Sequence, residues 1–563
     1  MRKNIKKQIL SGTLAMCMML SVTGCGTKDY TKDKKNDITG EIGGVVNEPT
    51  ESEINDVILG ESFDAMSADG VMESEVDCYT NELPYDDTEY NTNEYDDLAE
   101  NSWASVANSP LSTFAADVDT ASYTNIRYNI QNGYDVDPAS VRIEEMINYF
   151  DYDYPEPKSG EKFAVYSEYM DCPWNEDTKL ALVSLNTEAI DFSEAPDSNI
   201  VFLIDTSGSM YDSNKLPLVQ QSLKMLAENL SENDRISIVT YAGSETVVLE
   251  GEPGNNYHEI ISAIESLEAY GSTNGEAGIE KAYDIAEKYF IEGGNNRVIL
   301  ATDGDLNVGV TSEGALEKLI TQKKETGVFL SVLGFGNGNY KDTKLETLAD
   351  KGNGNYAYID TIFEAKKALV DDMGATLVAV AKDVKLQVEF NPANVKGYRL
   401  IGYENRVMSA EDFNDDTKDG GEMGAGHSVT AIYEIIPADS DMEVTASDLK
   451  YDTEEETTYG EGKYNDELFT VNVRYKEIDQ DESSLFSHVC SIEDYSEKGS
   501  DNLRWAAAVA AFGMYLKDSE YMGTVDGELI LQLAKSINDY REDDYKLEFI
   551  DLVEIVCFDK DCY

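Results

Sequence analysis

The chain has 563 residues, which exceeds the length of one ordinary domain. It carries 110 acidic and 44 basic side chains, a formal net charge of −66. Such a charge repels nucleic acid and anionic lipid, so binding to nucleic acid is not expected. It fits a highly solvated protein, a basic partner or a bound cation.

The first 24 residues have the composition of an export signal. A basic start, "MRKNIKKQ", precedes an apolar stretch from Ile9 to Val22 that is too short to span a membrane. It ends in "VTGC", which resembles the bacterial lipobox. That resemblance implies that Cys25 is lipidated and anchors the protein, outside the cytoplasm, to a bacterial membrane. A plain signal peptide that happens to contain a cysteine is the alternative.

The remaining cysteines do not indicate a zinc site. Five are left after the signal and Cys25, an odd number that leaves their pairing open. No two have C-x-x-C spacing, and the three histidines are scattered. These five are Cys78, Cys172, Cys490, Cys557 and Cys562.

Residues 25–109 form an acidic segment with little apolar content. No Lys or Arg occurs from Asn36 through Ile126. Low hydrophobicity with charge of one sign does not offset the entropy of ordering a chain. We therefore expect a flexible stalk that holds the rest of the protein away from the membrane.

Residues 110–198 form a flanking region in which helical patterns precede strand patterns. Two short helices are expected, and Asp137 with Pro138 would supply the N-cap and first turn of the second. Two segments with strand patterns follow, "KFAVYSEYM" and "KLALVSLNTEAI".

Residues 199–381 alternate between apolar strands and helices. "IVFLID", "RISIVTYA", "RVILATDG" and "VFLSVLGFG" have strand patterns, with helical periodicity between them. Continuous apolar strands that alternate with helices indicate a mostly parallel sheet covered on both faces. This part is predicted to be a doubly wound α/β domain.

Residues 382–486 are rich in strand patterns, and residues 487–563 are mostly helical. "WAAAVAAFGMYL" has twelve residues and is predicted to be a buried helix. Neither the strands before the α/β domain nor those after it suffice to bury a core alone. We expect them to pair into one antiparallel sandwich with the α/β domain inserted between its strands.

Oxygen-bearing side chains follow the apolar strands of the α/β domain. Asp205, Ser207 and Ser209 leave the strand "VFLI", and alternation along an extended loop would turn them to one side. Thr273 lies in a glycine-flanked turn, and Asp303 ends another strand. Loops at the carboxyl edge of a parallel sheet bind ligands, and oxygen donors suit hard cations.

This set resembles the metal-ion-dependent adhesion site of the von Willebrand factor type A (VWA) domain. The resemblance implies that Ser207, Ser209 and Thr273 bind the ion directly, and that the two aspartates bind it directly or through water. It also implies Mg²⁺, or else Mn²⁺ or Ca²⁺, and a protein ligand that presents an Asp or Glu. Given the net charge, that ligand is expected to be basic overall. Asp305 and Asn307 are expected at the rim of the site.

The flanks also resemble a known family. "STFAADVDTASY", "RIEEMINYF" and "YDYPEP" are similar to the N-terminal region of bacterial VWA lipoproteins that carry a C-terminal extension. The expected function is that of a membrane-anchored, non-enzymatic binding protein. A structural role in envelope assembly, with the metal purely stabilising, is the alternative.

Two short segments resemble enzyme motifs but lack the sequence context that those enzymes require. "AADVDTA" resembles the nucleophile loop of haloacid-dehalogenase-like phosphatases, with Asp117 as nucleophile and Asp119 as acid. "DTSGS" resembles the aspartic-protease triplet, with Asp205 and Asp303 as the dyad, but that fold is all-β.

Overall fold

The computed structural model describes most of the chain from residue 95 onward. It covers residues 95, 98–189, 196–271, 275–304, 313–336, 342–371, 378–418, 420–444, 464–478, 480 and 482–558. The predicted export signal, Cys25, Cys78 and Cys562 lie outside these residues. Within them, no helix is long and apolar enough to cross a membrane.

The described chain before the α/β domain contributes four strands and two α-helices. In chain order they are β1 (Ala104–Ser105), β2 (Leu111–Ala115), α1 (Ala121–Gln131), α2 (Ile143–Asn148), β3 (Phe163–Asp171) and β4 (Lys179–Thr187).

The α/β domain follows. Its elements are β5 (Ser198–Asp205), α3 (Leu216–Ala227), β6 (Arg235–Tyr241), β7 (Glu245–Pro253), α4 (Tyr257–Glu265), α5 (Gly275–Lys288), β8 (Asn295–Thr302), α6 (Glu313–Lys324), β9 (Phe329–Phe335), α7 (Asp342–Lys351), β10 (Tyr356–Ile359) and α8 (Ile362–Lys366).

The sheet of this domain has the order β10-β9-β8-β5-β6-β7, and only β7 runs antiparallel to its neighbour. The central strand β5 is buried on both faces. Ile200, Phe202 and Ile204 pack into one core, and Val201 and Leu203 pack into another. This explains why its sequence is continuously apolar, and it confirms the prediction of a doubly wound sheet.

The later strands complete a sandwich with the flanking region. They are β11 (Ala379–Phe390), β12 (Val395–Ile401), β13 (Val407–Met408), β14 (Gly421–Gly424), β15 (Ser428–Pro437), β16 (Glu467–Glu477) and β17 (Ser483–Ser491). One sheet has the strand order β1-β12-β15-β4-β3, and the other has the order β13-β2-β11-β16-β17. Strand β14 pairs with β11 outside this order. The predicted pairing across the inserted domain is confirmed, since β4 and β15 form an eight-pair ladder.

Three helices close the described chain: α9 (Asp501–Lys517), α10 (Gly527–Ala534) and α11 (Asp544–Phe558). They pack with α1 and α2 against the outer face of the β4 sheet, where Leu180 and Leu182 meet Trp505 and Phe549. Ala181 and Val183 point into the sandwich core instead. Both faces of β4 are therefore buried, and α9 is buried as predicted.

Three local expectations need correction, and one strand was not predicted. The acidic segment does not extend to residue 109 as a stalk, because β1 pairs with β12 and Asn101 donates to the Gly402 carbonyl at 2.7 Å. The strand Leu111–Ala115 was not predicted, and its ladder is supplied by β11. Asp137 caps a 3-10 turn ahead of α2. The β-rich part continues past residue 486, to the end of β17.

Candidate metal centre

The loop after β5 begins with a buried carboxylate. Asp205 is fully buried, and its Oδ1 accepts a hydrogen bond from the Ser207 backbone N–H at 2.8 Å. The Ser207 and Ser209 hydroxyls lie 2.9 Å apart. The loop is not extended throughout, because a 3-10 turn covers Gly208–Tyr211. It nevertheless brings the two hydroxyls together beside Asp205, and Ser209 is exposed.

Asp303 follows β8, the strand that pairs in parallel with β5. Thr302 donates its hydroxyl to Oδ2 of Asp205 at 3.5 Å, so the two strand ends meet. Burial raises the pKa of Asp205 to about 6, with a further contribution from the charge on Asp303. Two carboxylates in this environment favour a cation between them.

Thr273, Asp305 and Asn307 lie outside the described residues. The chain leading to Thr273 is held against the Asp205 loop, because Tyr270 N–H donates to the Thr206 carbonyl at 2.7 Å. Gly208 N–H donates to the Gly271 carbonyl at 3.1 Å. A φ of +89° at Gly271 favours glycine at the start of this turn.

A lysine that the sequence analysis missed completes the described part of the site. Lys215 directly precedes α3, and its Nζ lies 3.1 Å from Oδ2 of Asp303. Both side chains are largely buried, with exposed fractions of 10% and 1%. A lysine before an amphipathic helix is a visible pattern, but local sequence does not indicate where its side chain points.

The donor set fits a hard divalent cation. Asp205, Ser207, Ser209 and Asp303 offer oxygen atoms alone, which suits Mg²⁺, Mn²⁺ or Ca²⁺ better than a softer ion. The ammonium of Lys215 already shows that the site attracts positive charge. Within the described residues no three His, Cys, Asp or Glu side chains form a metal-binding group, so the hydroxyls are essential to this assignment.

The loop with phosphatase-like sequence takes part in an ion cluster. Arg406 donates to Asp117 and Asp119 at 3.1 Å each, and to Glu346 and Asp350 on α7. Burial, followed by the charge on Asp117, raises the pKa of Asp119 well above its usual range. The preceding strand β2 runs antiparallel to β11, in the sandwich. This cluster joins the flank to the α/β domain.

The cysteines that the structure describes are unpaired. Cys172 and Cys490 are buried, and Cys557 is partly buried. Burial raises the pKa of the Cys172 and Cys490 thiols to about 12. They therefore remain neutral thiols at neutral pH.

The fold and the oxygen-bearing strand ends define a protein with a VWA domain. Family comparison agrees, because residues 199–372 match the von Willebrand factor type A domain and residues 89–182 match a von Willebrand factor family. Residues 375–557 match the family described as "Uncharacterized protein YfbK, C-terminal". The chain belongs to the bacterial YfbK family, in which a VWA domain is combined with this C-terminal region.

Similar proteins include uncharacterized protein YfbK of Escherichia coli. It is 42% identical over 471 residues, which cover 82% of this chain and 81% of that protein. A solved von Willebrand factor type A structure from Catenulispora acidiphila covers 70% of this chain and 89% of its own, with 15% identity and a TM-score of 0.39. The mussel byssus protein PTMP1, solved with a zinc-occupied MIDAS motif, covers 34% and 46%, with 22% identity and a TM-score of 0.28.

Proposed function

We propose that this protein is a membrane-anchored extracytoplasmic binding protein. A divalent cation held by the Asp205 loop and Asp303 would present an open position to a carboxylate of a protein ligand. The observation that carries the proposal is the meeting of two buried carboxylates and two hydroxyls at the carboxyl edge of the sheet. VWA domains often serve in metal-dependent protein–protein interaction.

Mg²⁺ is the proposed ion, with Thr273 as a further ligand. Hydroxyl ligands carry no charge, so the bound ion keeps most of its attraction for an acidic group. The partner proposed here is basic overall and presents one Asp or Glu, because a net charge of −66 repels an acidic protein at long range. Binding of a ligand carboxylate by the ion needs no side chain that reacts with the ligand, so the proposed role is binding without catalysis.

The anchor is proposed to be a lipid on Cys25, as the "VTGC" sequence indicates. Changing Cys25→Ser should move the protein from the membrane fraction to the soluble fraction. An unchanged membrane fraction would mean that the anchor lies elsewhere.

The experiment that tests the binding role is a pull-down from cell-surface extracts in Mg²⁺ and in EDTA. Wild type is compared with Asp205→Ala, and Asp212→Ala serves as the matched control because Asp212 is an exposed carboxylate in the same loop. A partner retained by wild type and the control in Mg²⁺ alone supports the proposal. Retention that is independent of Mg²⁺ and of Asp205 supports the alternative, a scaffold in envelope assembly whose metal only stabilises the fold.

A further inference from the structure

The direction of the Lys215 side chain towards Asp303 is set by its backbone and by a neighbouring glycine. Its backbone is fixed by a hydrogen bond from its N–H to the Asp212 carbonyl at 3.0 Å. Its methylene groups cross Gly336, where an added Cβ would lie 2.3 Å from the Lys215 Cε. Gly336 follows β9 and has a φ of +76°, so glycine both permits this backbone and leaves room for the lysine.

The ammonium then lies against Asp303 with little exposure to solvent. The Nζ to Oδ2 distance is 3.1 Å, and the Asp303 side chain is 1% exposed. A carboxylate buried next to Asp205 without a counter-charge would destabilise the fold. Lys215 therefore supplies positive charge to the site from within the chain itself.

We propose that Lys215 sets the cation affinity of this site. Its ammonium balances Asp303 when no ion is bound, and it weakens binding of the ion because the two positive charges share one carboxylate. This inference rests on the proposed function, since it assigns a regulator to the same site. It makes the centre a low-affinity site that fills only where the divalent cation is abundant.

Loss of the Lys215 charge should have opposite effects on the Mg²⁺-free and the Mg²⁺-bound protein. Without Mg²⁺, a neutral residue at position 215 leaves Asp205 and Asp303 unbalanced, so the protein should melt at a lower temperature than wild type. When Mg²⁺ binds, the same change removes the repulsion between the Lys215 ammonium and the ion. Because charge interactions in a largely buried site are only partly screened, the dissociation constant for Mg²⁺ should fall at least about tenfold. If Lys215 only stabilises the fold, its substitution should destabilise the protein equally with and without Mg²⁺.

The test uses the full mature chain with Lys215→Met and Lys215→Gln. Glutamine is one bond shorter than lysine but still carries a neutral hydrogen-bond donor, so that variant places a polar group without charge near Asp303 and guards against a failure to fold. Lys224→Met is the matched control, because Lys224 is a partly exposed lysine on α3 that pairs with Glu265 on the surface. Calorimetric titration with MgCl₂ gives the affinity, and melting in EDTA and in Mg²⁺ gives the linked stability.

Tighter Mg²⁺ binding by both neutral variants, with a larger melting shift between EDTA and Mg²⁺, supports the inference. Unchanged affinity, or equal destabilisation in both solutions, overturns it while leaving the binding function intact. If wild type and both variants show no Mg²⁺ binding, the proposed metal-dependent function fails together with this inference.

Discussion

Arg127 and Asp360 form a bidentate ion pair although 233 positions separate them in the chain. The Arg127 Nε donates to Oδ2 of Asp360 at 3.0 Å, and Nη2 donates to the other oxygen. Glu364 and Tyr149 accept further hydrogen bonds from the same guanidinium at 3.0 and 2.9 Å. Because Arg127 lies on α1 and Asp360 follows β10, the pair joins the flanking region to the VWA domain.

Changing Arg127→Met should reduce the free energy of unfolding by about 3–5 kcal/mol. The reason is that Asp360 and Glu364 would remain buried without their counter-charge. Urea denaturation of the two proteins measures the difference. The exposed Arg541→Met is the control and should change the stability by less than about 1 kcal/mol. A loss of the same small size at Arg127 would contradict this account of the interface.

Arg406 provides a second ion cluster between the same parts of the molecule. It contacts four carboxylates, two in the flank and two on α7. Arg406→Lys keeps the charge but loses the planar fork that meets several partners, so we expect a loss of roughly 2–3 kcal/mol. Arg474→Lys, at a pair with the more exposed Asp416, should be nearly neutral, and urea denaturation of both variants and wild type measures the two losses. Similar small effects at both positions would mean that charge alone holds the cluster.

Local sequence patterns were sufficient for the parts of the fold with strong periodicity. The apolar run of β5 indicated a strand buried on both faces, and Asp205 and Asp303 at strand ends indicated a shared edge. The short strand β2 was missed because "LSTFA" has no clear alternation, and its pairing with β11 is made across the inserted domain. Tertiary pairing decides such segments.

Long-range side-chain partners were also beyond sequence reasoning. Arg127 and Arg406 look like ordinary surface arginines in a chain with 110 acidic residues. Their burial follows from contacts between elements more than 200 positions apart. The direction of the Lys215 side chain depends on the space above Gly336, which no local pattern encodes.

Glu144 should make the stability of the protein depend on pH. It lies in the first turn of α2, packed so closely that a Cβ on Gly402 would be 2.6 Å from its Oε2. Burial, and then the charges on Glu404 and Asp117, raise the pKa of Glu144 to about 7. Between about pH 4.5 and 7 the folded state therefore keeps a proton that the unfolded state has released. Stability contributed by this group falls as pH rises through that window and is level above it.

The variant Glu144→Gln removes this dependence, because the amide does not titrate. Relative to the variant, wild type should lose on the order of 3 kcal/mol between pH 4.5 and 7.5. Urea denaturation at four pH values across the window gives the two slopes, and buried acids that do not interact with Glu144 contribute equally to both proteins. The exposed Glu161→Gln should follow wild type. Parallel curves for wild type and Glu144→Gln would show that Glu144 is already ionised in the folded state at low pH.

Bound metal should stabilise the VWA domain through the Asp205 loop. A ligand that binds only the folded state stabilises it by mass action, about 2.7 kcal/mol at a hundredfold excess over the dissociation constant. Melting of the protein in saturating Mg²⁺ should therefore occur at a higher temperature than melting in EDTA. Asp205→Ala should abolish the difference, because it removes a carboxylate that anchors Ser207 and faces Asp303.

Asp212→Ala should retain the full shift, since that carboxylate is exposed and outside the donor set. The same melting temperature for wild type in both solutions, at Mg²⁺ concentrations up to tens of millimolar, would argue against a cation site at this edge of the sheet.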